Sequence, residues 1–215
     1  MNWLDKVERK MRWFAVPNLM MLLSGLMLAV FLLEIALPEE AVSQYLWLDW
    51  NAVRSGQIWR VLSFLILPPA ASPFFLLFSL YFFCLMGNGL ESQWGTSKFT
   101  LFYTVGALGT IIGSLFTGFA TNQYLNLSLF LAFAAIYPNY TVMVFFILPV
   151  KVKYLALLDV LLYLYLFFQI GWPERVALLL SLANVLLFFS PDIFRHIRDY
   201  LAYRKTRQNF RRNMR

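Results

Sequence analysis

Histidine and cysteine are almost missing from this chain, with one of each, His196 and Cys84. A single cysteine excludes a disulfide within the chain and leaves the redox compartment unread. No histidine, cysteine or carboxylate cluster has metal-ligand spacing, so neither a metal nor a cofactor is expected. Charge is scarce as well. Only 13% of the 215 residues are charged while 60% are hydrophobic, too little polar surface for an ordinary soluble domain. Internal repeats are absent. The first 17 residues lack a small-residue cleavage site and are charged rather than apolar, so they are not expected to be a signal peptide.

Long apolar runs are what the chain has instead. A helix needs about 20 apolar residues to cross a bilayer, with about 17 as a lower bound. Residues 18–37, 73–90, 99–120, 154–171 and the slightly short 174–189 read as spans. Residues 125–137 are apolar too, but about 13 residues reach only about 20 Å. Every span must be helical, because lipid offers the backbone no other partner. The expected fold is an all-α polytopic bundle of six helices over residues 18–190. Residues 1–17 and 191–215 flank it.

Both flanks are basic and amphipathic. Trp3, Leu4, Val7, Met11 and Phe14 recur at helical spacing between four cations, as a helix lying on a membrane surface would have them. The tail opens Ser190-Pro191-Asp192, a helix-start signature. It then carries eight cations against one acid, Asp199. Beside a final membrane span, such a tail points to anionic lipid rather than nucleic acid. With six spans, 15 of the 18 Lys and Arg residues fall on the side of the termini, and Arg54, Arg60 and Arg175 on the other. The positive-inside rule then makes both termini cytoplasmic, and the expected location is a bacterial plasma membrane.

Specific motifs sit in the loops and span ends. The outer segment 38–72 is rich in Tyr and Trp and contains Gly56-Gln57-Ile58-Trp59-Arg60. It reads as an aromatic belt in the outer leaflet, with Arg60 either snorkelling or part of a motif. The second span ends Met86-Gly87-Asn88-Gly89-Leu90-Glu91, where glycines favour a tight turn and Glu91 can accept from its backbone groups. Gly109 and Gly113 form a small-xxx-small pair for close helix packing. Residues 131–159 run from a short apolar helix through Tyr137-Pro138-Asn139, an apolar stretch and Pro149-Val150-Lys151-Val152-Lys153 into another apolar helix. The short fourth run either begins deep in the membrane or crosses with a break at Pro138.

The order within residues 131–159 resembles the fourth and fifth membrane helices of rhomboids, the intramembrane serine proteases and their inactive relatives. The first-loop Trp59-Arg60 and the Leu90-Glu91 element are similar too, with a more distant likeness to derlins. The resemblance implies a fourth helix that starts beneath an outer cavity, with 141–148 running along the inner face. It also implies where chemistry should be, and there the chain departs. Gln123 stands where the family has its serine; sliding the alignment brings Ser128 nearer, at the cost of a shorter helix. Ser181 stands where the family has its histidine, and Asn184 and Phe188 where it has paired glycines. Phe75 and Ser79 replace the oxyanion pair of the second span. His196 lies beyond the last span, on the opposite side from such a site. A serine without a base stays protonated and unreactive.

The expected function is therefore non-catalytic, a rhomboid-like pseudoprotease that binds other membrane proteins. Gln123, Asn126, Ser128, Ser181, Asn184 and Asp159 are the candidates to line a vestigial client-binding cavity. Asp159 is expected to make a structural hydrogen bond to a neighbouring helix. The alternatives are an active protease with altered residues and a solute-binding transporter subunit. An even span count predicts that tags fused at Met1 and at Arg215 respond together to a protease that cannot cross the membrane. Digestion of one tag without the other would break that count.

Overall fold

The computed structural model describes residues 13, 15–37, 42–69, 72–144 and 147–189. The expected surface helix over 1–17 falls almost wholly outside them, and the basic tail 191–215 falls wholly outside. Helix makes up 77% of the structure, and the sheets are two short ribbons. The chain is an all-α polytopic membrane protein.

Among the described residues, five helices are long and apolar enough to cross a membrane: α1 (Leu19–Ala36), α4 (Pro73–Trp94), α5 (Thr96–Thr117), α7 (Val152–Gln169) and α8 (Trp172–Phe189). Between α5 and α7 lies the short α6 (Gln123–Ile136), 14 residues long. The outer segment holds two short helices, α2 (Trp50–Arg54) and α3 (Arg60–Ser63). It also holds β1 (Leu48–Asp49), which pairs antiparallel with β2 (Phe119–Ala120), Leu48 opposite Ala120.

Burial follows helical periodicity. On α1 the buried residues are Met20, Leu23, Ser24, Met27, Val30 and Phe31, one stripe facing α4. On α4 they are Leu76, Leu80, Phe83, Met86, Gly87 and Leu90. Half of α6 is buried, and it packs on α4, α5 and α7. By contrast, α7 has one buried residue, Val152, and turns a half-buried stripe of Ala156, Asp159, Tyr163 and Phe167 inward. The last helix buries Ala177, Leu178, Ser181 and Asn184.

Where two helices meet closely, glycine allows it. A Cβ on Gly113 would stand 3.1 Å from the Ala177 backbone, and one on Gly106 would stand 2.7 Å from the Asn184 amide nitrogen. The small-residue face of α5 thus receives α8. Gly87 and Gly89 work the same way and do not make the turn expected of them. The helix runs through both to Trp94, and the turn falls at Gly95, with φ of 83°. A methyl group on Gly87 would overlap the Met20 side chain of α1, and one on Gly89 would stand 2.7 Å from Phe133 of α6.

Glu91 then serves a different partner from the one expected. Its carboxylate accepts from the Asn18 backbone N–H at 3.1 and 3.3 Å and from the Thr96 hydroxyl at 2.8 Å. It therefore joins the start of α1 to the start of α5. Asn18 itself has φ of 53°, a left-handed conformation that Asn tolerates better than most residues.

Arg60 does not snorkel. It is buried in the outer segment, where its guanidinium donates to the carbonyls of Gln44 and Trp47 and to the Gln57 side chain. Trp59 beside it is exposed and donates its indole N–H to the Tyr45 carbonyl.

Beyond α6, β3 (Thr141–Val144) pairs antiparallel with β4 (Leu148–Lys151), Thr141 opposite Lys151. Its β-branched, unpaired backbone finds partners in its own return strand.

Packing between membrane helices rests on close contact rather than on the hydrophobic effect. Gly87→Ala should therefore lower stability by about 1–3 kcal/mol, the usual cost of overpacking. Gly25→Ala on exposed α1 surface, with nothing within 4 Å of its Cβ, should leave it unchanged. Thermal unfolding in detergent compares the two.

Candidate functional site

The candidate residues separate into two groups. Gln123, Asn126 and Ser128 share α6, but a helix turns about 100° per residue. Asn126 lies about 60° from Gln123 around the axis, and Ser128 about 140° from it. A single point of convergence would need all three on one side.

Ser128 faces the core. It is fully buried and its hydroxyl donates to the Leu125 carbonyl at 2.8 Å, within its own helix. Ser181 of α8 is buried and donates to the Tyr124 carbonyl at 2.8 Å, fastening α8 to the first turn of α6. Asn184, also buried, donates to the Phe102 carbonyl of α5 at 3.3 Å. These three polar groups act as interhelical or local fasteners. Each leaves the lipid face free of an unpaired donor.

Gln123 faces the other way. Its side chain is exposed and donates an amide N–H to the Tyr163 hydroxyl of α7 at 3.2 Å. Tyr124 meets the same ring edge-on, with centroids 6.3 Å apart. One turn earlier on the inward stripe of α7 is Asp159, half-buried. One turn later on α6 is Asn126, whose amide oxygen is buried without a hydrogen-bond partner among the described residues. Because α6 and α7 run in opposite directions, Asp159 and Asn126 stand on the same side of the Gln123–Tyr163 bond. The result is a polar seam between α6 and α7.

The hydrogen bond expected for Asp159 is not found: no hydrogen bond or ion pair joins it to a described residue. The reason lies in what surrounds it. Its neighbours on α7 are Leu158 and Val160, and the helix as a whole touches the bundle along a narrow stripe. Tyr163 escaped sequence reasoning. Its spacing of four from Asp159 put both on one helical face, and that signal was available.

Phe75 is exposed, and it contacts Phe74 ring to edge. Near the α4–α5 turn at Gly95, Phe188 joins Trp94, Phe102 and Phe189 in an aromatic cluster with centroids 5.2–6.2 Å apart. His196 lies outside the described residues.

The short half-buried α6 held between longer helices, the segment laced by Arg60, and the α6–α7 seam belong to a polytopic integral membrane protein. The chain belongs to the family described as Eukaryotic integral membrane protein (DUF1751), whose profile matches residues 19–189, and that family is a rhomboid-like one. No curated protein matches the chain. The family corrects one expectation. It is eukaryotic, so the bacterial source read from the absent signal peptide, the positive-inside pattern and compact size is overturned. Those features are common to membrane proteins inserted from any cytosol.

A carboxylate inside a span costs about 2.5–3.5 kcal/mol on insertion scales. With no partner to lose, Asp159→Leu should leave the unfolding midpoint in detergent unchanged or raise it. A fall equivalent to about 1–3 kcal/mol, the cost of orphaning a buried partner, would reveal a hydrogen bond to Asp159.

Proposed function

We propose that this chain is a non-catalytic rhomboid-like protein that binds transmembrane segments of other membrane proteins along the α6–α7 seam. The observation that carries this reading is the seam itself. It places an exposed Gln123 amide, the Tyr163 hydroxyl and the unpartnered Asp159 carboxyl along one line within the spans. In lipid, polar groups of this kind find partners on other helices, and a client helix with a polar residue supplies one.

The hydroxyls support the non-catalytic half. Nucleophilic serine needs an adjacent base to take its proton. Ser128 spends its proton on a helix carbonyl and Ser181 does likewise. The position that corresponds to the family serine is Gln123, whose amide is engaged by Tyr163.

Orientation belongs to the same proposal. Lys98, Lys151 and Lys153 lie at the end of the bundle where Lys153 N–H meets the Pro138 carbonyl. Arg54, Arg60 and Arg175 lie at the other end, with β1 and β2. Both termini then face the cytosol, by the count of basic residues. Anionic lipid is the proposed partner of the basic tail.

A photo-cross-linking amino acid at Gln123 should capture transmembrane segments of other proteins in cells. The same residue at Leu161, on the lipid face of α7, should capture far less. Equal capture at both positions would remove the seam from the account. Purified protein should also fail to react with a fluorophosphonate. Labelling that disappears in Ser128→Ala would establish a reactive serine and overturn the non-catalytic reading.

A further inference from the structure

The α6–α7 seam carries charge that the described residues do not balance. Asp159 stands seven residues past Val152 and ten before Gln169, the two ends of α7. At 1.5 Å per residue that is about 10 Å from one end and about 15 Å from the other, near mid-span. A carboxylate at that depth is costly unless a partner meets it.

The cations nearest to it in the chain are turned to other partners. Lys153 is six residues away on the same helix, which places it about 120° around the axis from Asp159. Its ammonium lies 5.2 Å from the centre of the Tyr154 ring. Arg175, in the first turn of α8, donates to the carbonyls of Ile170 and Phe168 and lies over the Phe167 and Trp172 rings.

A second acid adds to the imbalance. Glu174, half-buried beside Arg175, also lacks a hydrogen bond or ion pair among the described residues. Its carboxylate lies close enough to the Tyr124 phenol for the two to interact electrostatically, as Asp159 does with Tyr163. Tyr124 and Tyr163 meet edge-on, so the two carboxylates flank one aromatic pair.

This charge selects among client helices. An apolar client residue leaves Asp159 as costly as before. A neutral donor supplies a hydrogen bond but no charge, and an acidic residue is repelled. Lysine or arginine supplies both bond and charge, and the cost of placing that cation in a span is offset at the same contact.

We infer, on the reading that the seam binds client helices, that those clients carry a lysine or arginine near mid-span and that it pairs with the Asp159 carboxylate.

The test uses the full chain in phosphatidylcholine nanodiscs, which carry no net charge to recruit a cation. The probe is a synthetic transmembrane peptide of leucine and alanine with one guest residue at its centre. A photoreactive leucine one turn from the guest reports contact, and adducts are located by peptide mass spectrometry. The lysine peptide should mark the seam about tenfold more than the leucine peptide, the worth of one charge-assisted hydrogen bond, with a glutamine peptide between them. Asp159→Asn should bring lysine capture down to the glutamine level. Asp159→Lys should reverse the order, favouring a glutamate peptide over the lysine one. The peptide series on the unaltered chain stands even if Asp159→Lys fails to fold. Equal marking of the seam by lysine, glutamine and leucine peptides would overturn the cationic preference and leave a general client site. Lysine capture undiminished in Asp159→Asn would overturn the pairing. Absence of seam adducts with every peptide would overturn the preference together with the seam reading beneath it.

Discussion

Lipid offers a peptide group no hydrogen bond, and at 14 residues α6 is too short to carry both its ends out to water. The structure braces the segments that flank those ends from within. Before the start of α6, the Asn122 amide donates to the carbonyls of Leu65 and Leu67, the Trp50 N–H reaches the Gly118 carbonyl, and β1 pairs with β2. On the other side, Val152 N–H meets the Tyr140 carbonyl, and the Tyr137 hydroxyl donates to the Gly89 carbonyl. The outer segment is thus a lid over the start of α6 and not merely an aromatic belt. Arg60 keeps that lid in shape, because its burial is compensated by two backbone carbonyls and a glutamine.

Around this core, helices are joined by contact distance. Gly87 against Met20, Gly89 against Phe133, and Gly106 and Gly113 against α8 bring backbones close enough for dispersion to act where the hydrophobic effect does not. Polar groups reinforce these contacts in the core, as Ser181 and Asn184 do. They behave otherwise at α7, which is held by a narrow stripe and keeps its polar groups at the edge of the bundle. A region with few packed contacts opens more readily than one with many. That contrast separates polar residues that fasten the fold from those available to a partner.

The membrane class, the span positions and the short fourth helix were legible in residue order, because length and apolarity act locally. A rhomboid-like family was legible as well. What each polar residue touches was a matter of tertiary structure. Six candidates looked alike as polar residues in apolar surroundings. Helix rotation sent Ser128 inward and Gln123 outward, and placed α8 so that the Ser181 hydroxyl and the Asn184 amide nitrogen donate to carbonyls of α6 and α5, while the Asn184 amide oxygen stays buried without a partner among the described residues. Glycines 87 and 89 misled for a related reason. A glycine that permits a turn and one that permits a close approach are the same residue, and only the neighbour distinguishes them. Local chemistry therefore determined that this chain lives in lipid as a helical bundle. Three-dimensional packing decided which of its few polar groups remain free to act, because a hydrogen bond between helices depends on the relative rotation of two segments far apart in the chain.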